Sequence, residues 1–265
     1  MNKIKEMTTL LQRETLLIID KSKKRYLILL GIVALIVIAN LNKINVYADD
    51  IRQVYLGDFF FFLFKGEKSS SVISEIEFPI FWFLVNIFII IIIGDNIRSD
   101  FKNNGAYLLT RASRKMVFIS KMISIFLNII FYYGIIFAMS IIIGSLSFEY
   151  SKYFSYDIIQ LETVKMILAI ILLYITTSIA IISLYSFLNL LMSEKFSVLI
   201  ISMFLILSVY IDNIIMFGNN SMIIRQLHLI NEGGNGIFNL IGFNIVFAII
   251  NCISGVILIN NKDIL

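Results

Sequence analysis

The chain has one cysteine, one proline and one histidine among its 265 residues. The single cysteine, Cys252, cannot form an internal disulfide, so cysteine usage does not indicate a redox compartment. The lone histidine, His228, has no second histidine or carboxylate pair at a metal-binding spacing. We therefore expect His228 to be an interfacial residue, and the sequence predicts no metal site.

Common catalytic motifs are also missing from the sequence. It contains no GxxxxGK[ST], so binding of ATP through a P-loop is not expected. It contains neither HExxH nor GxSxG. No carboxylate lies at the centre of a long apolar run, which argues against a proton-coupled transporter and a charge-lined channel because both need ionisable groups inside the membrane. The chain is predicted not to be an enzyme and to hold no cofactor of its own.

Charged residues are scarce, and this scarcity favours a membrane protein. The chain is 15% charged and 59% hydrophobic, with a mean hydropathy of +0.90, whereas soluble domains average about 25% charged and about 45–50% apolar residues. The basic residues cluster beside apolar runs, as they do in membrane proteins, so the sequence pI near 9.0 does not indicate nucleic-acid binding.

Six apolar runs approach the roughly 20 residues that a helix needs to cross a bilayer. Because they are continuous rather than alternating, they favour helices over a strand barrel. The predicted class is an all-α integral membrane protein with a single six-span transmembrane domain, residues 26–265. Asp212 near the outer end of the fifth run leaves open that its apolar part stops at Tyr210. The predicted spans are 26–41, 78–94, 122–146, 166–192, 196–217 and 236–259.

The positions of the basic residues predict the orientation. With the N-terminus inside, fifteen of the 22 Lys and Arg residues fall in inner segments, as the positive-inside rule requires. Both termini are therefore predicted to be cytoplasmic. A cleaved signal peptide is the alternative for the first run, but 25 mostly polar residues precede it, which is long for a signal sequence.

Residues 1–25 are predicted to form an amphipathic helix on the cytoplasmic face, ending in the basic anchor KSKKR at 21–25. The alternative is a frayed N-terminal extension. Apolar residues recur at helical spacing along one face, and three charged residues are expected to face water. The apolar positions are Ile4, Met7, Leu11 and Ile18, with Leu10 and Leu17 beside them, and the charged ones are Lys3, Arg13 and Glu14.

The sequence also gives predictions for two outer segments and for the polar residues within the spans. Residues 55–66 indicate either an interfacial helix or packing against neighbouring spans, and 218–235 is predicted to contain a short helix dipping into the outer leaflet. Neutral polar residues within spans are predicted to form interhelical hydrogen bonds rather than a substrate site. They are Asn86, Asn128, Thr176, Thr177, Ser178, Asn244 and Asn251.

The segment between the second and third spans, residues 95–121, carries six of the 22 basic residues interleaved with apolar ones. Together with six spans and an amphipathic N-terminal helix, it resembles the permease subunits of type-2 ABC exporters, and is most similar to bacterial permeases of bacteriocin or lantibiotic export and immunity. Ala106 and Ala112 stand where such permeases commonly have Thr and Pro, and the acid is Asp rather than Glu. The matching series is Asp100, Gly105-Ala106, Leu108-Leu109, Ser113-Arg114 and Lys121.

The resemblance implies that this segment is a cytoplasmic coupling helix seated in a cleft of a separate ABC ATPase subunit, which would bind ATP and Mg²⁺. It also implies a second permease chain, identical or a sister, in the plasma membrane of a bacterial cell. Apolar residues would supply contacts, and basic ones would meet acids on the partner or anionic headgroups. The residues implied are Asp100, Phe101, Gly105, Leu108, Leu109, Arg111, Ser113, Arg114, Lys115 and Lys121.

Two alternatives stay open at this point. Positive-inside bias alone would explain the number of basic residues in the segment, although not the apolar residues between them. The expected function is export of, or immunity to, an amphipathic or antimicrobial peptide driven by the partner ATPase. The alternative function is a membrane immunity or assembly protein that sequesters a peptide without ATP.

Overall fold

In this computed structural model, the described residues are 3–48, 64–67, 78–94, 113–145, 164–213, 215–231 and 235–261. Within these ranges the chain forms eight helices, and the predicted all-α class is confirmed for them. The helices are α1 (Lys3–Ala48), α2 (Ile80–Ile93), α3 (Arg114–Ser145), α4 (Val164–Leu191), α5 (Glu194–Tyr210), α6 (Phe217–Asn220), α7 (Ile223–Asn231) and α8 (Asn235–Asn261).

Three helices of the described residues are long and apolar enough to cross a membrane. The candidate spans are Arg114–Ile143 in α3, Leu168–Leu191 in α4 and Gly236–Asn260 in α8, each with a mean hydropathy of 2.2. The most apolar part of α4 is 67% buried, against 39% for α3 and 33% for α8. Thus α4 lies in the interior of the bundle, whereas α3 and α8 keep broad apolar faces on its surface.

The remaining three predicted spans coincide with helices, but the structure does not show them as spans. The first falls within α1, which continues without a break through residue 25, so the predicted interfacial helix and first span form one helix. Helix α2 has 14 residues and α5 has 17, which correspond to about 21 and 26 Å of helix at 1.5 Å per residue. The six-span count therefore stays a prediction.

The boundaries of the shorter helices follow local sequence signals. Pro79 is the residue immediately before α2, where its missing N–H costs little, and its carbonyl accepts a hydrogen bond from Phe83 N at 3.0 Å. Helix α5 ends at Tyr210, before Asp212. A short helix within 218–235 is confirmed by α7, and its insertion into the outer leaflet stays a prediction. Residues 55–63 of the other outer segment lie outside the described residues.

The helices pack as two closely associated pairs, α1 with α3 and α4 with α8, and α2 contacts α1, α3, α4 and α5. Buried polar side chains bond between them: Tyr132 Oη donates to the carbonyl of Val85 at 2.7 Å, and Asn244 Nδ2 donates to Thr177 Oγ1 at 3.0 Å. Such bonds are worth about 0.6 kcal/mol each inside a bilayer, so they set helix register more than they set total stability.

The predicted interhelical role of the neutral polar residues is confirmed for most of them. Asn128, Thr177, Ser178, Asn244 and Asn251 each bond to a side chain on another helix. The prediction is wrong for two residues, which bond to carbonyls of their own helix. Asn86 donates to Trp82 O at 2.9 Å, and Thr176 donates to Leu173 O at 3.0 Å.

Candidate functional site

The candidate site is the basic segment that precedes and opens α3. Four of the ten implied coupling residues are described by the structure: Ser113, Arg114, Lys115 and Lys121. The other six lie outside the described residues: Asp100, Phe101, Gly105, Leu108, Leu109 and Arg111.

The first turn of α3 begins the described part of this site. Ser113 precedes the helix, and its Oγ accepts a long hydrogen bond of 3.4 Å from Met116 N, three residues on. A serine at this position satisfies one of the free N–H groups at a helix start. Lys115 is exposed and Arg114 is partly buried. This turn therefore presents at least one cation to the surroundings.

Lys121 lies two turns further along α3 and is buried. Its side chain is 1% exposed, and its Nζ lies 3.7 Å from Glu14 Oε2 on α1. The other carboxylate oxygen of Glu14, Oε1, lies 3.3 Å from Arg13 Nη1. An ion pair taken out of water is favourable only when both charges keep partners. Among the described residues Glu14 Oε2 has no hydrogen-bond partner, so its contact with Lys121, which joins α1 to α3 near the start of α3, is one of charge.

The expectation that Glu14 faces water is wrong. Its side chain is 1% exposed, while Leu16 on the same helix is 67% exposed. Helical spacing placed Glu14 on the polar face, but Lys121 supplies a buried cation that the spacing of α1 alone could not reveal. Burial of Ile18 on α1 agrees with the predicted apolar face.

The end of α2, where the basic segment starts, is held from two sides. Arg25 of α1 donates from Nη1 to the carbonyl of Ile91 at 2.6 Å, and Tyr185 of α4 donates from Oη to the carbonyl of Gly94 at 3.2 Å. The last carbonyls of a helix lack partners within the helix and carry partial negative charge, so a cation is favourable there. Arg25, predicted as a membrane anchor, also caps α2.

Helix α1 therefore contacts the chain on both sides of the basic segment. Arg25 binds the end of α2 just before the segment, and Glu14 binds Lys121 at its last residue. A displacement of the segment would have to move α1 or break these contacts. Between them on α1 lies an exposed pair, Lys23 Nζ and Asp20 Oδ1 at 2.7 Å, in which the hydrogen bond and charge of Lys23 hold the pKa of Asp20 below its ordinary value.

A second polar centre, at the carboxyl end of α5, was not anticipated from the sequence. The side chain of Arg225 on α7, expected only as an outer-loop charge, is largely buried, with the residue 7% exposed. Its guanidinium donates to the carbonyl of Ser208 at 2.8 Å, to the carbonyl of Val209, and to Asn219 Oδ1. The cation thus caps α5 where the carbonyls of its last turn lack helical partners.

Arg225 also joins α7 to the segment 64–67. Its Nε donates to the carbonyl of Glu67 at 2.9 Å. Burial lowers the pKa of Arg225, while the nearby charges of Asp212 and Glu67 act in the opposite direction. A lysine could not make the same set of bonds because they use the planar fork of the guanidinium. One sequence signal could have indicated this role of Arg225. The fifth apolar run stops near Tyr210, and the last carbonyls of a helix that ends there need a hydrogen-bond donor from elsewhere.

Two further features of the described residues concern metal binding and an open groove. No group of three or more His, Cys, Asp or Glu residues within the described ranges could hold a metal ion. A surface groove of about 580 Å³ runs between α3, α4 and α8, but its lining is apolar and includes Phe126, Ile249 and Cys252. Such a surface on candidate spans suits lipid tails or another apolar helix.

Long apolar helices joined by buried polar bonds define the class as a helical, multi-pass membrane protein. The chain belongs to the family DUF2705, described as "Protein of unknown function", whose family model matches residues 28–265. No curated protein and no solved structure matches the chain. The matched range includes Lys121 and Arg225, while Glu14 and Arg25 precede it.

Proposed function

We propose that the chain is the permease subunit of an ABC exporter, with residues 95–121 as the element that docks on a separate ATPase. The observation that carries the proposal is that α1 contacts the chain on both sides of this segment, through Arg25 and through Glu14. The ordered series in the segment, with apolar residues between cations, supplies the surface for a partner.

In this mechanism, closure of two ATPase subunits on ATP moves the docked segments of two permease chains. The push enters the bundle at the end of α2 and the start of α3. Because a buried ion pair joins Lys121 of α3 to Glu14, α1 moves with these helices as one body. The interhelical hydrogen bonds of the core keep register during this movement.

The proposed arrangement has six spans and both termini in the cytoplasm of a bacterial cell. The cargo we propose is an amphipathic or antimicrobial peptide, exported or removed from the bilayer as an immunity function. Broad apolar faces on α3 and α8 are compatible with cargo that approaches through lipid. ATP and Mg²⁺ would bind to the partner ATPase.

The proposal is tested by charge reversal within the segment. The double variant Arg111→Glu/Arg114→Glu should lose co-purification with the Walker-motif ATPase of the same cell and should lose any effect on its hydrolysis rate. The matched control is Lys24→Glu/Lys195→Glu, which makes the same change in charge at two exposed positions outside the segment. The control should retain both properties, and membrane insertion is verified for both variants.

Three results would count against the proposal. The wild-type chain could fail to co-purify with any Walker-motif ATPase, the segment variant could keep full function, or the control could lose as much as the segment variant. The last result would assign the effect to charge balance across the membrane rather than to a docking surface. Retained peptide immunity without ATPase association would favour a sequestering protein.

A further inference from the structure

The segment 64–67 lies across the end of the bundle where α5 ends and α7 begins, and it inserts one side chain into the core. Phe64 is 1% exposed. Its ring stacks on Tyr174 of α4 with a centroid separation of 4.3 Å, and it also contacts the rings of Tyr133 and Phe137 of α3 at 6.1 and 6.5 Å. Phe64 therefore fills an aromatic site between α3 and α4.

This segment, which we call the strap, is also held through backbone atoms. The first N–H groups of α7, on Ile223 and Ile224, donate to the carbonyls of Phe64 and Lys65 at 3.1 Å each. Gly66 has φ of +68°, and a Cβ there would lie 2.5 Å from the side chain of Met222. Hydrogen bonds of this kind contribute little individually, so the position of the strap depends strongly on burial of the Phe64 ring.

Two of the side chains that contact the Phe64 ring, Tyr133 and Tyr174, carry hydroxyl groups. The hydroxyls of Tyr133 and Ser178 bond to each other at 2.7 Å. The hydroxyl of Tyr174 is fully buried and has no hydrogen-bond partner among the described residues. A buried hydroxyl without a partner is unfavourable, and the phenylalanine ring that stacks on Tyr174 has no polar atom to offer it.

We infer that this is a binding site for an aromatic group bearing one polar atom, such as a phenol or an indole, and that Phe64 occupies it in place of the ligand. The ring of Tyr174, on which Phe64 stacks, selects an aromatic group. The unpartnered Tyr174 hydroxyl selects a group with a hydrogen-bonding atom. The three rings that contact Phe64 carry no charge, which favours a neutral group.

The strap then acts as a competitor for its own site. A ligand binds only the fraction of molecules in which Phe64 has left, so its apparent affinity is reduced by that fraction. Removing the Phe64 ring should therefore raise affinity for a matching ligand. The inference needs no ATPase, so its failure and the failure of the proposed function are separate results.

The test uses the purified full-length chain in lipid nanodiscs with two neutral probes, N-acetyl-tyrosinamide and N-acetyl-phenylalaninamide. Phe64→Ala should bind N-acetyl-tyrosinamide at least tenfold more tightly than the wild type. It should also prefer this probe over N-acetyl-phenylalaninamide by roughly three- to tenfold, the net value of one hydrogen bond. Adding Tyr174→Phe should abolish that preference and leave binding of N-acetyl-phenylalaninamide unchanged.

The matched control is Phe196→Ala, which removes the same ring from an exposed position on α5 and should change neither affinity. Fluorescence of the sole tryptophan, Trp82, which is buried beside Ser221, checks that each variant is folded. If Phe64→Ala does not fold, Phe64→Leu keeps an apolar side chain and removes the stacking ring, with the same expectations. The inference is overturned if folded strap variants bind neither probe more tightly, or if Tyr174→Phe lowers both affinities equally.

Discussion

The buried ion pair between Glu14 and Lys121 gives the sharpest prediction about stability. Replacing Lys121 with Met leaves a carboxylate that is 1% exposed, and breaking a buried pair in this way typically costs about 3–5 kcal/mol. Arg13 Nη1 remains 3.3 Å from the other carboxylate oxygen. We therefore expect Lys121→Met to lower the free energy of unfolding by about 2–3 kcal/mol, below the usual range because one cation remains.

The assay is a double-mutant cycle in mixed detergent micelles, with unfolding by SDS followed through Trp82, the only tryptophan. Glu14→Gln should also destabilise the protein, and Glu14→Gln combined with Lys121→Met should cost less than the sum of the two by about 1–3 kcal/mol. The control, Lys23→Met, breaks an ion pair whose side chains are 68% and 73% exposed. It should not change the unfolding midpoint measurably because such pairs are well solvated.

Two outcomes would refute this reasoning. If Lys121→Met is no more destabilising than Lys23→Met, the buried pair does not hold α1 to α3. If the two substitutions at the buried pair are additive, Glu14 and Lys121 act independently, and the mechanical connection between α1 and the basic segment fails with them.

Three further substitutions test the other contacts. Arg225→Lys should lower the free energy of unfolding by about 2 kcal/mol because an ammonium cannot reproduce the guanidinium bonds that cap α5; an unchanged SDS unfolding midpoint would contradict this. Gly66→Ala should lower the free energy of unfolding in SDS by about 2 kcal/mol, because φ of +68° and the close approach of Met222 both oppose a Cβ. An unchanged free energy of unfolding would mean that the strap can shift to accept the methyl group. Arg25→Met should speed amide hydrogen exchange in the last turn of α2 by removing its cap, with Lys24→Met as the neighbouring control.

The sequence predicted the helices well because long apolar runs have few physical alternatives. The runs predicted as spans all coincide with helices, and Asp212 correctly indicated that the fifth helix could stop at Tyr210. Three of these helices are candidate spans by length and composition. Whether the shorter helices α2 and α5 cross the bilayer depends on how far the bilayer thins around them. Sequence periodicity does not specify that thinning.

Side-chain environments were harder to predict because they depend on residues distant in sequence. The helical spacing of α1 predicted that Glu14 is exposed to water, but Glu14 is buried beside Lys121, which lies on α3. Arg225 was predicted only as a charge in an outer loop, but its guanidinium donates hydrogen bonds to the last carbonyls of α5. Phe64 belongs to a run of phenylalanines for which core packing was one of two predicted alternatives, and the structure supports packing for this residue.

The central claim is that residues 95–121 contact an ATPase subunit, and site-specific photo-cross-linking in intact cells tests it most directly. A photoreactive amino acid at Leu109, within the segment, should give an adduct containing a Walker-motif ATPase. The same group at Lys152, in a predicted outer loop, should give none. Equal adducts from both positions, or no ATPase adduct from Leu109 in a chain that is inserted and expressed normally, would contradict the account.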